Sequence, residues 1–396
     1  MQTIYALDLG TTKFCIAKYD HQDKMNPIMM TSCPSAGMRR GMLSDFNKVS
    51  ERLSELVEQA EKKFQADIRH VAVGVAGCHL KGGIVTSSHK IAEPKITQKT
   101  LDQLKIKADK NCQIPGRELL HLLPIDYMVD DRTTTTNPLS LSGQKIDSRY
   151  FYVDSDQLYL RDILGAVNEA GLEVLNLYAE PFASSCVTVP QKAKDLGIAI
   201  CDIGGGTTDG IVFTDGSPTS CFTFNIGGLM MTKDIAIGLN LPFEEAEKAK
   251  SYFGLSGQKN PHEILVTAAS GGKKTITGKE VQRILGHRIF EWADALREKL
   301  HPYKGRLGSG IYLTGGGSLV LSLSQILEKQ FHVPVTTTFP SFGELKNNTQ
   351  FAAKYATVIG LLQLETHKRL EAESIYTNPW KFPFLRQVKS WIKEFS

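Results

Sequence analysis

Residues 198–213 read IAICDIGGGTTDGIVF, and residues 4–19 read IYALDLGTTKFCIAKY. Each stretch is an apolar strand that ends in a carboxylate, Asp8 or Asp202, then turns through glycine and a pair of threonines into a second β-rich strand. A glycine turn lets backbone N–H groups approach anionic oxygens because no Cβ stands in the way. Gly10 and Gly204, Gly205 and Gly206 meet that need, while Thr11, Thr12, Thr207 and Thr208 add hydroxyl donors and Lys13 adds a cation in reach of a phosphate. Asp8 and Asp202, facing one another across a cleft, would hold Mg²⁺ through its waters. A single such hairpin is also an ordinary turn. Two in matched register imply a duplicated pair of lobes around one nucleoside triphosphate, and with no Walker A lysine motif in the chain a P-loop ATPase is excluded.

At 396 residues the chain exceeds one ordinary core, so two lobes with a cleft are expected. A charged fraction of 22% and a hydrophobic fraction of 41% are those of a folded globular protein. The net charge of +4 comes from interspersed signs and gives no reason to expect nucleic acid. Seven cysteines, scattered and without a C-x-x-C pair, read as reduced thiols, not as a disulfide framework or a zinc site. The first strand begins without a basic and then apolar leader, and no apolar run approaches the roughly 18 residues of a spanning helix, so a cytoplasmic protein is expected.

The apolar spacing of Val49, Leu53, Leu56, Val57, Ala60 and Phe64 predicts a helix, followed by a strand over Val71–Ala76. Further helices are expected over Gln98–Asn111 and Arg161–Ala170 and after Pro181, this last ending before a polar turn at Gln191–Asp195. Strands are expected at Val174–Tyr178 and Ile311–Leu313, with a mostly helical stretch over Leu229–Arg306. The domain reading is 1–83 with 164–195 for lobe I, 84–163 for a small inserted α/β domain, 196–228 with 307–364 for lobe II, 229–306 for a helical insert, 365–383 for a tether and 384–396 for an amphipathic helix.

Residues 4–19, 198–213 and 311–319 resemble, in order, the phosphate-1, phosphate-2 and adenosine motifs of the actin, heat-shock-70 and sugar-kinase superfamily. The resemblance implies an α/β fold of two lobes with duplicated βββαβα cores, binding ATP with Mg²⁺. Gly227 and Gly228 resemble its second-lobe phosphate contact, and Gly315, Gly316 and Gly317 would let adenine lie against bare backbone. Glu247 and Lys250 resemble its ribose-binding E-x-x-K helix, although the spacing also suits a surface i,i+3 pair. Glu180, in AEPFASS, matches the connecting residue that positions the attacking water, and it also suits a helix N-terminal carboxylate beside Pro181. Any hydrolysis so implied is slow.

Four stretches are similar to FtsA, the bacterial actin-like cell division family: GMLSD at 41–45, ELLHLLP at 118–124, NPL at 137–139 and KYATVIG at 354–360. The family carries a small inserted domain that contacts neighbours and later division proteins, polymerises, and anchors the tubulin-like FtsZ ring to the cytoplasmic face of the membrane by its C-terminal peptide. By that resemblance Arg283, Arg288 and Arg297 would receive the FtsZ peptide, although three arginines also suit a solvated helix. GGLMMTKD at 227–234 is more apolar after its glycines than the family pattern. A sugar-type kinase and a pilus-assembly actin homologue are the alternatives on the same fold.

At the C-terminus, Pro379 and Pro383 precede apolar residues at Phe384, Leu385, Val388, Trp391, Ile392 and Phe395, with Arg386, Lys389 and Lys393 on the other face. Such a helix suits an anionic membrane surface, each basic residue adding about 1 kcal/mol, and it also suits docking on its own core. One short foot binds weakly, whereas many joined in a filament bind firmly.

Overall fold

The protein is described by a computed structural model covering residues 3–23, 27–255, 263–342 and 352–377. The expected foot over 384–396 lies outside the described residues.

Strands β1 (Ile4–Leu9), β2 (Lys13–Tyr19) and β3 (Ile28–Pro34) form an antiparallel meander. A short ribbon of β4 (Met38–Arg39) and β5 (Met42–Leu43) leads to α1 (Phe46–Phe64), and β6 (His70–Val75) then joins β1 in parallel. An inserted unit follows, β7 (Lys81–Lys90), α2 (Gln98–Cys112), β8 (Arg117–Val129), β9 (Thr133–Thr135) and β10 (Lys145–Asp156), paired in the order β7-β10-β8-β9. The chain returns through α3 (Gln157–Glu169), β11 (Glu173–Ala179), α4 (Glu180–Thr188) and α5 (Gln191–Asp195). The first sheet runs β11-β6-β1-β2-β3.

The second half repeats the plan. It comprises β12 (Ile198–Ile203), β13 (Thr208–Thr214), β14 (Ser217–Phe224), α6 (Gly228–Leu239), α7 (Phe243–Phe253), the hairpin β15 (Glu263–Thr267) and β16 (Lys273–Thr277), then α8 (Gly278–Leu300), β17 (Ile311–Thr314), α9 (Leu323–Phe331), β18 (Val335–Thr337) and α10 (Ala356–Thr377). Its sheet, β14-β13-β12-β17-β18, has the same antiparallel meander joined to the same parallel pair. The duplication read from the two glycine hairpins is therefore a duplication of whole sheets.

Local chemistry sets these elements. Asp45 caps α1 by accepting from the Lys48 N–H at 3.2 Å, and the predicted apolar stripe from Val49 to Phe64 is buried against the first sheet. Thr277 and Glu280 form a capping box at the start of α8, whose buried face carries Val281, Leu285, Ile289 and Trp292. In the insert, α2 covers one sheet face by packing Leu104 against Tyr127 and Ile146, and Ala108 and Cys112 against Leu122 and Tyr150.

Five features differ from the sequence reading. The insert's sheet spans Lys81 to Asp156, not 84–163, because the Asp156 carboxylate accepts from the N–H groups of Leu158 and Tyr159 at 3.0 Å and starts α3, which packs on α1 in lobe I. Gln191–Asp195 is a short helix and not a turn, and the second-lobe insert contains the β15–β16 hairpin. The tether does not begin at Glu365: that carboxylate is 3% exposed inside α10, accepting from Asn176 Nδ2 at 2.7 Å, Tyr178 Oη at 3.0 Å and Arg369 Nε at 3.0 Å. The start of α10, assigned above to lobe II, lies on the first sheet, where Val358, Ile359, Leu361 and Leu362 pack on Ile4, Ala6, Cys15 and Ala17.

Helix α4, in turn, packs on β12 and β13 of the second sheet as well as on β11, so α4 and α10 cross between the lobes. They cross backbone to backbone, since a Cβ at Gly360 would lie 2.0 Å from the Ala183 carbonyl oxygen. Overpacking of this kind typically costs 1–3 kcal/mol, so Gly360→Val is expected to lower unfolding free energy by about 3 kcal/mol. Gly286, exposed in α8 with nothing within 4 Å of a built Cβ, is the control, and Gly286→Ala is expected to add about 0.5–1 kcal/mol. Urea denaturation monitored by circular dichroism checks both, and equal midpoints would refute the tight crossing.

Candidate functional site

The two hairpin turns meet at the base of a cavity of ≈ 620 Å³ between the sheets. Their contact admits no side chains on the glycines. A Cβ at Gly205 would lie 2.2 Å from Thr12 Oγ1, and one at Gly206 would lie 2.7 Å from Thr11 Oγ1. Thr11 Oγ1 also accepts from the Gly41 N–H at 2.9 Å, which brings the GMLSD stretch to the cleft. The turn at 204–207 rests on the start of α6, where the N–H groups of Gly228 and Leu229 donate to the carbonyls of Gly204 and Gly205 at 2.9 and 2.8 Å.

Asp8, Gly10, Thr11, Thr12, Lys13, Glu180, Asp202, Gly204, Gly205, Gly206, Thr207, Gly228, Glu247, Lys250, Gly315, Gly316 and Gly317 all line this cavity. Two expected residues do not line it. Thr208 is fully buried, and its hydroxyl donates to the Ile226 carbonyl at 2.7 Å while accepting from Trp292 Nε1 at 2.8 Å, so it ties β13 to the core and is no phosphate donor. Gly227 sits behind the turn, where a Cβ would lie 2.6 Å from the Gly205 carbonyl oxygen, so its service is to let α6 approach the loop. The sequence reading also passed over Asp209, Gly41, Gly74 and Thr357. Of these, Asp209, Gly41 and Thr357 stood inside motifs already singled out, whereas Gly74 carries no local signal.

Carboxylates dominate the electrostatics. Burial, Asp209 and Asp8 raise the Asp202 carboxyl to about 7 against the pull of a hydroxyl bond from Thr357, 3.0 Å from Asp202 Oδ2. Burial, Asp8, Asp209 and Asp202 push the Glu180 carboxyl well above the usual range, with Lys13 opposing. Glu180 lies across Gly74 of β6, where a Cβ would stand 2.9 Å from Glu180 Cγ. Asp209 is held as a structural acceptor by Thr207 and Thr223 hydroxyls at 2.8 and 2.7 Å, and burial raises it too. Burial works to lower the pKa of the Lys13 ammonium, but Asp8, its Oδ2 3.5 Å from Nζ, together with Cys15 and Tyr355 raises it on balance and keeps the group charged.

On the far wall, Lys250 Nζ donates to Glu247 at 2.7 Å, to Thr232 Oγ1 at 2.7 Å and to the Gly228 carbonyl at 3.2 Å, and burial lowers its pKa. The Glu247–Lys250 pair is therefore part of the cavity wall, tying α7 to α6, and not a solvated surface pair. Gly315, at φ +81°, lets the backbone pass where a Cβ would meet Asp202 Oδ1 at 2.2 Å. Bare backbone, crowded carboxylates at one end and a hydroxyl-sized polar pair at the other fit a nucleoside polyphosphate carrying a divalent cation. Among the described residues no three His, Cys, Asp or Glu side chains converge to hold a metal ion unaided, so a cation here needs phosphate or water ligands as well.

The three arginines differ. Arg288 is bound to Asp234 of α6 through Nε and Nη2 at 2.6 and 2.9 Å and to Glu291 at 2.5 Å, so it braces α8 and is not free for a partner, contrary to the sequence reading. Arg297 pairs with Asp294 and stacks 5.4 Å over Phe331, and Arg283 is exposed on α8.

Residues 199–360 match the family model described as cell division protein FtsA, and residues 77–153 match the SHS2 domain inserted in FtsA, together more than half of the chain. The FtsA cell division protein of Neisseria meningitidis serogroup B is 28% identical over 370 residues, covering 91% of this chain and 89% of its own. Among solved structures, the PilM–PilN type IV pilus biogenesis complex gives a TM-score of 0.65 at 18% identity over 91% of this chain and 98% of that one. MreB5 of Spiroplasma citri bound to ADP gives 0.57 at 15% identity over 94% and 99%. These last two share the fold, which is that of the actin-like proteins. One family model spans most of the second half, the other falls on the inserted unit between β6 and α3, and the relative runs along nearly the whole chain: the chain belongs to the FtsA family of cell division proteins.

Proposed function

We propose that this chain binds ATP with Mg²⁺ in the cleft, polymerises at the cytoplasmic face of the cell membrane at the division site, and anchors the FtsZ ring there by its C-terminal peptide. The observation that carries the reading is the close meeting of two glycine hairpins beneath Glu180, Asp8 and Asp202, which suits a polyanion with its cation. Mg²⁺ would sit near Asp8 and Asp202 and supply charge neutralisation to the phosphates. The Glu247–Lys250 pair would hold ribose, Gly315–Gly317 would face adenine, and Glu180, its carboxyl raised toward neutrality, would take a proton from water. The insert would recruit later division proteins, and neighbouring copies would join as a filament. No described helix is long and apolar enough to cross a membrane. Attachment would fall to residues 384–396, where helical spacing would put Phe384, Leu385, Val388, Trp391, Ile392 and Phe395 on one face.

Co-sedimentation with anionic liposomes tests this directly. The full chain is expected to pellet, more with Mg²⁺ and ATP, while truncation after Asn378 or Trp391→Glu leaves it in the supernatant. Equal behaviour of all three proteins would take the membrane role away from residues 384–396.

The raised Asp202 carboxyl gives a pH signature. With its pKa at about 7, roughly nine-tenths of the carboxyl is ionised at pH 8 and roughly one-tenth at pH 6. The gain in ATP affinity from Mg²⁺ is thus expected to fall roughly tenfold from pH 8 to pH 6, read with a fluorescent ATP analogue, and Asp202→Asn should abolish both gain and fall. In the ligand-free chain the sign reverses: the folded state keeps a proton that the unfolded state releases above about pH 4, so stability declines as pH rises from about 4 to 7, and Asp202→Asn makes that decline shallower, leaving the share of Glu180 and Asp209.

For the partner face, Arg283→Ala is expected to weaken binding of a synthetic FtsZ C-terminal peptide several-fold without shifting the denaturation midpoint, and Arg297→Ala to weaken it with a small loss of stability from its contact with Phe331. Arg288→Ala should instead lower stability by about 1.5–3 kcal/mol, the worth of hydrogen bonds to charged groups. Calorimetric titration and urea melts separate the two effects.

A further inference from the structure

Strand β11 is the edge of the first sheet, and its last residue, Ala179, leads straight into Glu180, the first residue of α4. On its open side the Ala179 N–H has no strand to pair with. It donates instead to Nε2 of His121 at 2.9 Å, and His121 belongs to β8 of the inserted domain. The ring is 8% exposed, packed 4.8 Å from the Phe182 ring and 5.8 Å from that of Tyr178. Burial, with the Lys368 charge nearby, holds the imidazole neutral down to about pH 3, so Nε2 stays an acceptor and Nδ1 carries the proton. At the junction itself α4 has no side-chain cap at Ala179, and Pro181 has no N–H to give.

We propose that His121 is a positioning residue for Glu180, holding the strand-to-helix junction through the Ala179 N–H so that the carboxylate reaches into the cleft at a fixed place. The inserted domain is thereby mechanically joined to nucleotide turnover, and a partner that displaces β8 alters the rate. The inference rests on the assignment of Glu180 above. In that step Glu180 takes the proton of a water whose oxygen bonds to the γ-phosphorus, while the bond to the bridging oxygen breaks and its electron pair leaves on ADP.

The test uses four variants of the full chain, with ATP affinity and single-turnover hydrolysis measured separately. Gln places its terminal amide where imidazole has Nε2, and Asn places its own near Nδ1. His121→Gln is therefore expected to hydrolyse within about threefold of the unaltered chain, and His121→Asn and His121→Phe to be about ten- to a hundredfold slower with ATP affinity unchanged. Glu180→Gln should bind ATP and not hydrolyse it. If Glu180→Gln is inactive while His121→Asn and His121→Phe hydrolyse normally, or if the Gln and Asn variants are equally slow, the positioning role is overturned and Glu180 keeps its own. If Glu180→Gln hydrolyses as well as the unaltered chain, or the latter not at all, the Glu180 assignment falls and this inference with it. Should His121→Phe fail to fold, the contrast between Gln and Asn still decides the question.

Discussion

Each sheet is covered on one face by helices that the other half of the chain also needs. Helix α10, the last described element, closes the first sheet over Ile4, Ala6 and Ala17, while α4 leaves that sheet to lie on β12 and β13. The two helices pass at Gly360 and Ala183 with no room for a Cβ, a distance at which backbones touch and side chains are excluded. This crossing fixes how the two hairpins confront one another. Thr357 at the head of α10 reaches back to Asp202, so the same helix that completes lobe I also orients a lobe II carboxylate. Ala183 and Val187 of α4 share one buried cluster with Val358, Ile359 and Leu362 of α10, so the backbone contact sits inside side-chain packing.

The cleft concentrates cost where the crossing concentrates order. Asp8, Asp202, Asp209 and Glu180 stand within one another's fields, and three of them are pushed toward the protonated form by burial and mutual repulsion. Asp209 is satisfied by hydroxyls and the Gly77 N–H, which marks it as structural. Asp202 has one hydroxyl and the like charges around it, and a divalent cation would relieve it more than any residue in the chain does. Such stored repulsion lowers the stability of the ligand-free lobes and makes a cation-bearing ligand part of the fold's own balance.

Much of this was legible in the chain. The hairpins at 4–19 and 198–213 announced themselves because a glycine turn next to a strand-end carboxylate is a local pattern, and the helical face from Val49 to Phe64 is a local pattern too. What escaped reading was set by contacts distant in sequence. Thr208 and Thr207 look alike in the motif, yet the indole of Trp292, eighty-four residues on, draws Thr208 into the core. Arg288 looks like a free surface cation until α6 brings Asp234 beside it. Glu365 reads as the start of a polar tether because its partners, Asn176 and Tyr178, lie in another strand altogether. Gly74 gave no sign at all, since its need arises only when Glu180 is laid across it.

The inserted domain is held at more than one place, and that decides how it can move. Arg117 at the start of β8 clasps Asp154 through Nε at 2.8 Å and donates to the His79 carbonyl at 2.7 Å, closing the hinge on the lobe I side. His121, four residues further on, grips Ala179. On the other side Gly82 of β7 lies against Cys221 of β14, where a Cβ would come within 2.7 Å of the cysteine Cβ, so the insert also touches lobe II. An element fastened to one lobe and abutting the other cannot keep both contacts if the lobes rotate about the α4–α10 crossing. Either Gly82 slides along β14, which a glycine surface permits, or β8 is pulled at His121, which a buried hydrogen bond resists. The two attachments thus differ in kind: buried hydrogen bonds tie the insert to lobe I, while at Gly82 it meets lobe II by close packing.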